Sequence, residues 1–421
     1  MATATRVELV TIGDELLLGY TVDTNAAYLA RELSAIGVEI VRRATVGDTA
    51  DAIGAAVGEA LARTGAVITT GGLGPTADDL TKPAIAALFG RAMRLDESIL
   101  AGLAERWQAR GLPGPLPAPN RAQAMVPDGA RILVNRHGSA PGIWLDDARQ
   151  RWVAMLPGVP REMRGMLADE LLPILRSRRG TGSAVVRSRT LRTTGIAESS
   201  VAEQLRELAA TVNGLPLAYL PGADGVDLRL TARGLPAAAA VDALDTGIAL
   251  IRERIGEKYV YGIDEQDLAA VVLSAYRAKR MRIAVAESCT GGLLGARLTA
   301  IPGSSDVFVG GVIAYDNAVK RSLLAVEPAV LDRDGAVSNT VAEAMAEGVR
   351  DRLQTDVGVA ITGIAGPGGG SPEKPVGTVS IAWVGSAMRR SVQVRLIGDR
   401  EEIRRRATQA ALNGLRLALA G

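Results

Sequence analysis

Ala286-Glu287-Ser288-Cys289-Thr290-Gly291-Gly292 is the stretch whose reading decides the fold of the last third of the chain. It follows a short apolar run, Ile283 to Val285, and leads into a helical pattern, Leu293 to Leu298. An apolar run that stops at small residues and passes straight into a helix reads as a strand-to-helix turn of an α/β sheet. A hydroxyl at such a turn is held clear of the sheet, near helix-terminal N–H groups that bind a phosphate or an oxyanion. Ser288 is therefore a candidate nucleophile, and Gly291 and Gly292 are candidate donors to the substrate. His137 is the only histidine and lies far away in sequence, so the serine needs another base. Lys320, in Tyr315-Asp316-Asn317-Ala318-Val319-Lys320, is the nearest downstream candidate. A serine activated by a neutral lysine is a known variant of the nucleophile–base pair. Burial supplies the neutral amine, because desolvation disfavours the charged form.

Two more segments join this site if the sheet is parallel, since loops at the carboxyl ends of such strands gather around one crevice. The strand pattern Val307 to Ala314 runs into Tyr315–Lys320. The pattern Val357 to Ile361 runs into Thr362-Gly363-Ile364-Ala365-Gly366-Pro367-Gly368-Gly369-Gly370. Cys289 is the rival nucleophile, but a thiolate usually needs a histidine or other cationic partner. Its alternative reading is a small buried residue. The chain closes on a helix, Glu401 to Leu419, whose inner face is Ile403, Ala407, Ala411, Leu415 and Leu419 at i, i+4 spacing. Arg400 precedes that helix, and Arg404 shares a face with Thr408. An arginine pair beside glycine-rich loops suits a ligand phosphate, and a solvated charged face is the plainer alternative.

Roughly the first 90 residues alternate strand and helix patterns. Val7 to Ile12, Val38 to Val41 and Ala66 to Thr70 read as strands. Asp23-Thr24-Asn25 caps a helix with Leu29, Leu33 and Ile36 on one face, and Ile53, Val57 and Leu61 mark another helix. The third strand runs into Gly71-Gly72-Leu73-Gly74-Pro75-Thr76-Ala77-Asp78-Asp79. Its glycines and Thr76 offer backbone N–H groups to an anion, and Asp78 and Asp79 offer hard oxygen ligands. Gly13-Asp14-Glu15 ends the first strand, Asn25 opens the next helix, and Gly158 lies in the loop before a helix from Pro160 to about Leu175. Together they read as a phosphate site served by a magnesium-type divalent ion held by Asp14, Glu15, Asp78 and Asp79. The competing reading makes Asp78 and Asp79 helix caps. Residues 111–120 form a proline-rich loop, and strands resume at Ile132 to Val134 and Trp152 to Leu156. From Arg187 to Gly256 the order strand, helix, strand, strand, helix describes a small α+β unit.

Composition bounds the rest. A chain of 421 residues with 48% hydrophobic content holds two or three domains with packed cores. Lys+Arg 48 against Asp+Glu 46 leaves +2, which favours neither direct nucleic-acid binding nor a membrane surface. One Cys and one His exclude an intrachain disulfide and a cysteine- or histidine-rich metal site. The N-terminal run carries Glu8, Asp14 and Glu15, unlike a signal peptide, and no stretch is long enough to span a bilayer. The expectation is a cytoplasmic enzyme.

Ala286–Gly292, Tyr315–Lys320, Thr362–Gly377 and Gly398-Asp399-Arg400 resemble the C-terminal domain of the CinA family. The Gly71–Lys82 loop and its companions resemble the molybdopterin-binding-like domain at the front of full-length CinA proteins. The resemblance spans nearly the whole chain. It implies two α/β domains with mainly parallel or mixed sheets, at 1–175 and 264–421, joined by a small α+β, KH-like domain at 176–258. It makes Ser288 the nucleophile and Lys320 the base of a nicotinamide-nucleotide amidohydrolase. That enzyme converts nicotinamide mononucleotide to nicotinate mononucleotide and ammonia without a metal or other cofactor. Thr290, Tyr315, Asn317, Thr362 and Arg404 would face the substrate. For the N-terminal domain it implies, in some members, a metal-dependent ADP-ribose pyrophosphatase. The whole would serve pyridine-nucleotide salvage, as a homodimer. The KH-like part shows no Gly-x-x-Gly clamp, so RNA binding is not expected. The alternatives are a single live domain with the other a nucleotide sensor, or a non-enzymatic partner in competence or DNA-damage responses.

Overall fold

The computed structural model of the chain describes residues 5–178, 185–208, 211–386 and 388–419. The chain divides into two compact units, 1–187 with 232–242, and 188–231 with 243–421.

The first unit carries β1 (Arg6–Ile12), β2 (Glu39–Val46), β3 (Ala66–Thr70), β4 (Met93–Leu95), β5 (Met125–Pro127), β6 (Arg131–Leu133), β7 (Gly142–Asp146) and β8 (Trp152–Leu156). Six of them form one sheet in the order β2-β1-β3-β8-β7-β6. The first four are parallel and the last two antiparallel, while β4 and β5 pair separately. Helices cover both faces. Val7 and Leu9 pack with Leu29 and Leu33 of the helix Thr24–Ala35, which Asp23 caps by accepting from Ala26 N. Val10 and Ile12 pack on the other face with Ile53 and Val57 of the helix Ala50–Thr64. Each fully buried Leu or Ile stabilises by roughly 1.5–3 kcal/mol relative to exposure. Glu8 interrupts this apolar strand and is buried, but Arg63 grips its two oxygens at 2.8 and 2.9 Å. The strand β7 had no reading from sequence. All but its last residue are buried, so it shows no alternation, and Pro141 and Asp147 frame it like a loop.

A five-stranded sheet in the order β10-β11-β12-β9-β13, most of it within the second unit, is formed by β9 (Val185–Thr193), β10 (Thr211–Val212), β11 (Leu215–Pro221), β12 (Val226–Leu235) and β13 (Val260–Ile263). The sequence reading gave residues 260–263 no element, yet β13 pairs antiparallel with β9. A second five-stranded sheet follows in the order β15-β14-β16-β17-β18. Its strands are β14 (Ile283–Glu287), β15 (Phe308–Ile313), β16 (Val357–Gly363), β17 (Thr378–Gly385) and β18 (Met388–Arg395). β15, β14 and β16 are parallel, so their carboxyl ends meet at one edge. Ile283 and Val285 face the helices Leu268–Ala278 and Arg400–Ala418, while Ala284 and Ala286 face the helix Asn339–Leu353. The closing helix starts in a capping box made by Asp399 and Glu402. Ile403, Ala407, Ala411 and Leu415 are buried along its inner face, and Leu419 is partly buried beyond its end. Among the described residues no helix is long and apolar enough to cross a membrane.

Candidate active sites

In the C-terminal sheet the three loops after β14, β15 and β16 end at one edge, as parallel strands require. Ser288 is 7% exposed and Lys320 1% exposed, and Lys320 Nζ lies 3.4 Å from Ser288 Oγ. That is long for a hydrogen bond, but such contacts commonly tighten only when substrate is bound. Lys320 sits on the helix Asn317–Leu324, which Asp316 caps by accepting from Ala318 N. Its amine also donates to the Tyr315 carbonyl at 3.2 Å and has no ion-pair partner among the described residues. Burial pushes this amine below the usual lysine range, and Asp316 opposes the shift. Cys289 is buried, and burial pushes its thiol up to about 11, with Glu287 adding to the effect. A thiol so disfavoured as thiolate is a poor nucleophile near neutrality, which leaves Ser288 the better one.

The turn itself corrects one expectation. Glu287 is buried, and its carboxylate accepts from Gly292 N, Leu294 N and Gly295 N at 3.0, 3.0 and 2.8 Å. Gly291 N donates to the Ser288 carbonyl. The N–H groups of Gly291 and Gly292 are thus already used, because a buried carboxylate at a helix start takes the orphan donors first. Among the described residues the N–H groups of Cys289 and Thr290 donate to no other residue, the Cys289 N–H lying against its own thiol. They stand directly after Ser288, where an oxyanion formed by attack of its hydroxyl would need donors. The glycines serve conformation instead, with φ of 60° at Gly291 and 95° at Gly292.

The other candidates have these places. Thr290 is fully buried and its hydroxyl has no partner among the described residues. Arg404 Nη2 donates to the Thr290 carbonyl at 2.7 Å. Arg400 donates to the Gly366 carbonyl at 2.6 Å and to the Tyr315 hydroxyl at 3.1 Å, tying the β15 and β16 loops together. Tyr315 and Asn317 are exposed. The Thr362 hydroxyl donates to Ala336, on the turn before the helix Asn339–Leu353, and Gly363 lies against Val379 of β17. The sequence reading missed Glu287, which looks there like one more polar turn residue. The signal was available: a carboxylate between a buried strand and a helix start.

In the N-terminal sheet the loops after β1, β2, β3 and β8 surround a cavity of about 420 Å³. Glu15, Asp48, Asp78, Asp79 and Glu162 line it, together with Gly13 and Gly158, and no lysine or arginine does among the described residues. Asp79 closes its own loop, accepting from Gly74 N, Thr76 N and Thr76 Oγ1 at 2.7, 2.8 and 2.6 Å. Gly72 N and Leu73 N have no partner among the described residues and remain free for an anion. Pro75 lines the same wall. Asn25 Nδ2 donates to the Gly158 carbonyl at 2.7 Å, while its Oδ1 is buried without a partner among the described residues. Asp14 is exposed and its backbone N–H donates to Asp48. Asp48 and Glu162 were not singled out from sequence. Burial holds the Asp48 carboxyl above the usual range, and Asp14, Glu15 and Asp78 add repulsion. Among the described residues no three His, Cys, Asp or Glu side chains converge as a ready-made metal cage. Magnesium-type ions commonly take one or two carboxylates and complete their shell with water and substrate phosphate, which this spread donor set fits.

Gly71 explains why the β3 loop begins with glycine. Its φ is 112°, and a Cβ there would fall on the Ile12 carbonyl. Gly71→Ala is expected to destabilise the N-terminal unit by about 2 kcal/mol or more, read as a lower first thermal transition.

The architecture is that of a three-module α/β protein with a molybdopterin-binding-type module in front. Family models match it in order: "Probable molybdopterin binding domain" over 8–177, "Damage-inducible protein CinA KH domain" over 188–262, and "CinA C-terminal domain" over 265–419. A CinA-like protein of Gemmatimonas aurantiaca is 62% identical over 414 residues, 98% of this chain and 96% of that one. A putative competence-damage inducible protein of Moorella thermoacetica is 44% identical over 410 residues, 97% of each. A crystal structure of a competence/damage inducible protein from Agrobacterium tumefaciens is similar at 40% identity, covering 37% of this chain and 94% of that one, with a TM-score of 0.36. The chain belongs to the CinA family.

Proposed function

We propose that the C-terminal module is a Ser–Lys amidohydrolase acting on nicotinamide mononucleotide. The observation that carries this reading is the buried Lys320 amine, without a carboxylate partner among the described residues, 3.4 Å from the Ser288 oxygen. Ser288 Oγ attacks the carboxamide carbon while Lys320 takes its proton. The oxyanion is stabilised by the N–H groups of Cys289 and Thr290. Lys320 returns the proton to the leaving nitrogen, which departs as ammonia. Water then cleaves the acyl-serine ester, with Lys320 again as base, and releases nicotinate mononucleotide. The test is ammonia release from nicotinamide mononucleotide by the full-length protein. Absence of ammonia with a folded protein would end the proposal.

The N-terminal module is proposed to cleave the pyrophosphate of ADP-ribose, giving AMP and ribose 5-phosphate. What supports this is a cavity rich in carboxylates and, among the described residues, without a lysine or arginine in its lining, bordered by the N–H groups of Gly72 and Leu73, which have no described partner. Phosphates repel such a wall unless a cation lies between them. One or two of Glu15, Asp48 and Asp78 would hold a divalent ion, with water and substrate phosphate completing its shell, and that ion when bound would supply charge neutralisation and an activated water. AMP formation is expected to stop on adding a chelator, while ammonia release from nicotinamide mononucleotide continues. Chelator-resistant AMP formation would rule out the metal.

A further inference from the structure

The first turn of the helix Arg400–Ala418 borders a cavity of about 570 Å³. Arg297, Arg400, Arg404 and Arg405 line it. Arg400 and Arg404 form no ion pair among the described residues, and they are the two that reach the Ser288 loops, through the Gly366 and Thr290 carbonyls. Guanidinium groups left without a carboxylate beside an open cavity favour an anion, and their planar fork matches a phosphate. The remaining two arginines face a carboxylate of the chain itself. Asp224 takes Arg405 with both oxygens, at 3.3 and 2.8 Å, and lies 4.0 Å from Arg297.

Asp224 does not belong to the C-terminal sheet. It stands at the hairpin turn between β11 and β12, which Gly222 N closes by donating to the Gly225 carbonyl. The two-pronged grip of Arg405 fixes its charge at the cavity wall. Glu401 lies in the same lining. The cavity therefore offers unpaired positive charge where it meets the Ser288 loops, and its other two arginines are already answered by Asp224.

We infer that Asp224 is a specificity-determining residue, one that lets this site take a ligand ending in a single phosphate monoester and turns away one whose phosphate is linked to a second. This rests on the amidohydrolase reading of Ser288 and Lys320, whose substrate brings such a phosphate. One phosphate is neutralised by Arg400 and Arg404. A second, attached to the first, meets only Arg297 and Arg405, whose charge Asp224 already takes up, and among the described residues lining the cavity no unpaired arginine or lysine remains for it.

The experiment uses full-length wild type, Asp224→Asn, Asp224→Glu and Arg404→Ala, all with a chelator present so that no anion binds through a metal. Binding of inorganic phosphate and of pyrophosphate is measured by calorimetry. Ammonia release is measured with nicotinamide mononucleotide and with nicotinamide adenine dinucleotide. The wild type is expected to favour the single-phosphate member of each pair by about tenfold or more, and Asp224→Asn to narrow both ratios by about fivefold or more. Asp224→Glu keeps the charge and keeps the preference, and Arg404→Ala loses phosphate binding. Unchanged ratios in folded Asp224→Asn overturn the inference even if ammonia release is intact. The converse result, no ammonia from either nucleotide but a phosphate preference erased by Asp224→Asn, overturns the amidohydrolase reading and leaves the anion site standing.

Discussion

Ser288→Ala is expected to lower ammonia release from nicotinamide mononucleotide by about 10⁴-fold or more, the scale seen when a catalytic serine is removed. The change deletes one oxygen from a side chain that is 7% exposed. Lys320 keeps its bond to the Tyr315 carbonyl, and the turn keeps the Glu287 clamp, so the fold has no reason to change. Cys289 cannot take over, since burial pushes its thiol up to about 11. The measurement is a single-turnover ammonia assay beside a thermal melt. An unchanged rate with an unchanged melt would remove Ser288 from the chemistry and leave the site without a nucleophile.

Lys320→Met should cost about 10³-fold or more, because it removes the base and the returning acid together while roughly filling the same volume. Its diagnostic is the pH profile. The base works only as the neutral amine, so in the wild type kcat/KM rises with pH through the Lys320 pKa, which burial places below the usual lysine range. The Met variant loses that rise. Stability carries a matching signature. The unfolded chain holds the Lys320 proton to higher pH than the folded one, so folding gains stability as pH rises between the two values. Below the ordinary lysine range the wild type therefore bears the cost of burying an ionisable amine, and the Met variant is expected to melt no lower than the wild type despite leaving one carbonyl unpaired. A kcat/KM profile in the wild type that stays flat up to the ordinary lysine range would count against Lys320 as the base.

Much of the framework was legible because local chemistry and tertiary packing agree in it. Asp23 before Leu29 and Leu33 gave a capped helix, and both leucines are buried. Ile403, Ala407, Ala411 and Leu415 gave the face of the closing helix. Illegible elements were those without a periodic pattern. β7 is buried on both sides, and β13 finds its partner β9 some 70 positions away in the chain. The sites divide the same way. Which strand ends carry Ser288, Lys320 and Thr362 followed from the order of strands and helices. How their polar groups are shared out did not, because Glu287 and Asp79 look alike in sequence to any turn acid. Only coordinates show that Glu287 takes three N–H groups of the helix it precedes, and that Asp79 is bound to Gly74 and Thr76. Asp224 was out of reach for another reason: it is 181 positions from Arg405.

The Glu287 clamp has a bearing on how the lysine is kept reactive. A bare helix start would have offered positive potential and helped drive a proton from the amine, but here that potential is cancelled by a carboxylate. Asp316 and Cys289 act in the opposite sense, so the pull towards the uncharged base comes from exclusion of water alone. On the proposed amidohydrolase reading the base depends on dryness: whatever wets the crevice, whether a cavity-forming substitution or a departing product, favours the charged lysine until the crevice is filled again.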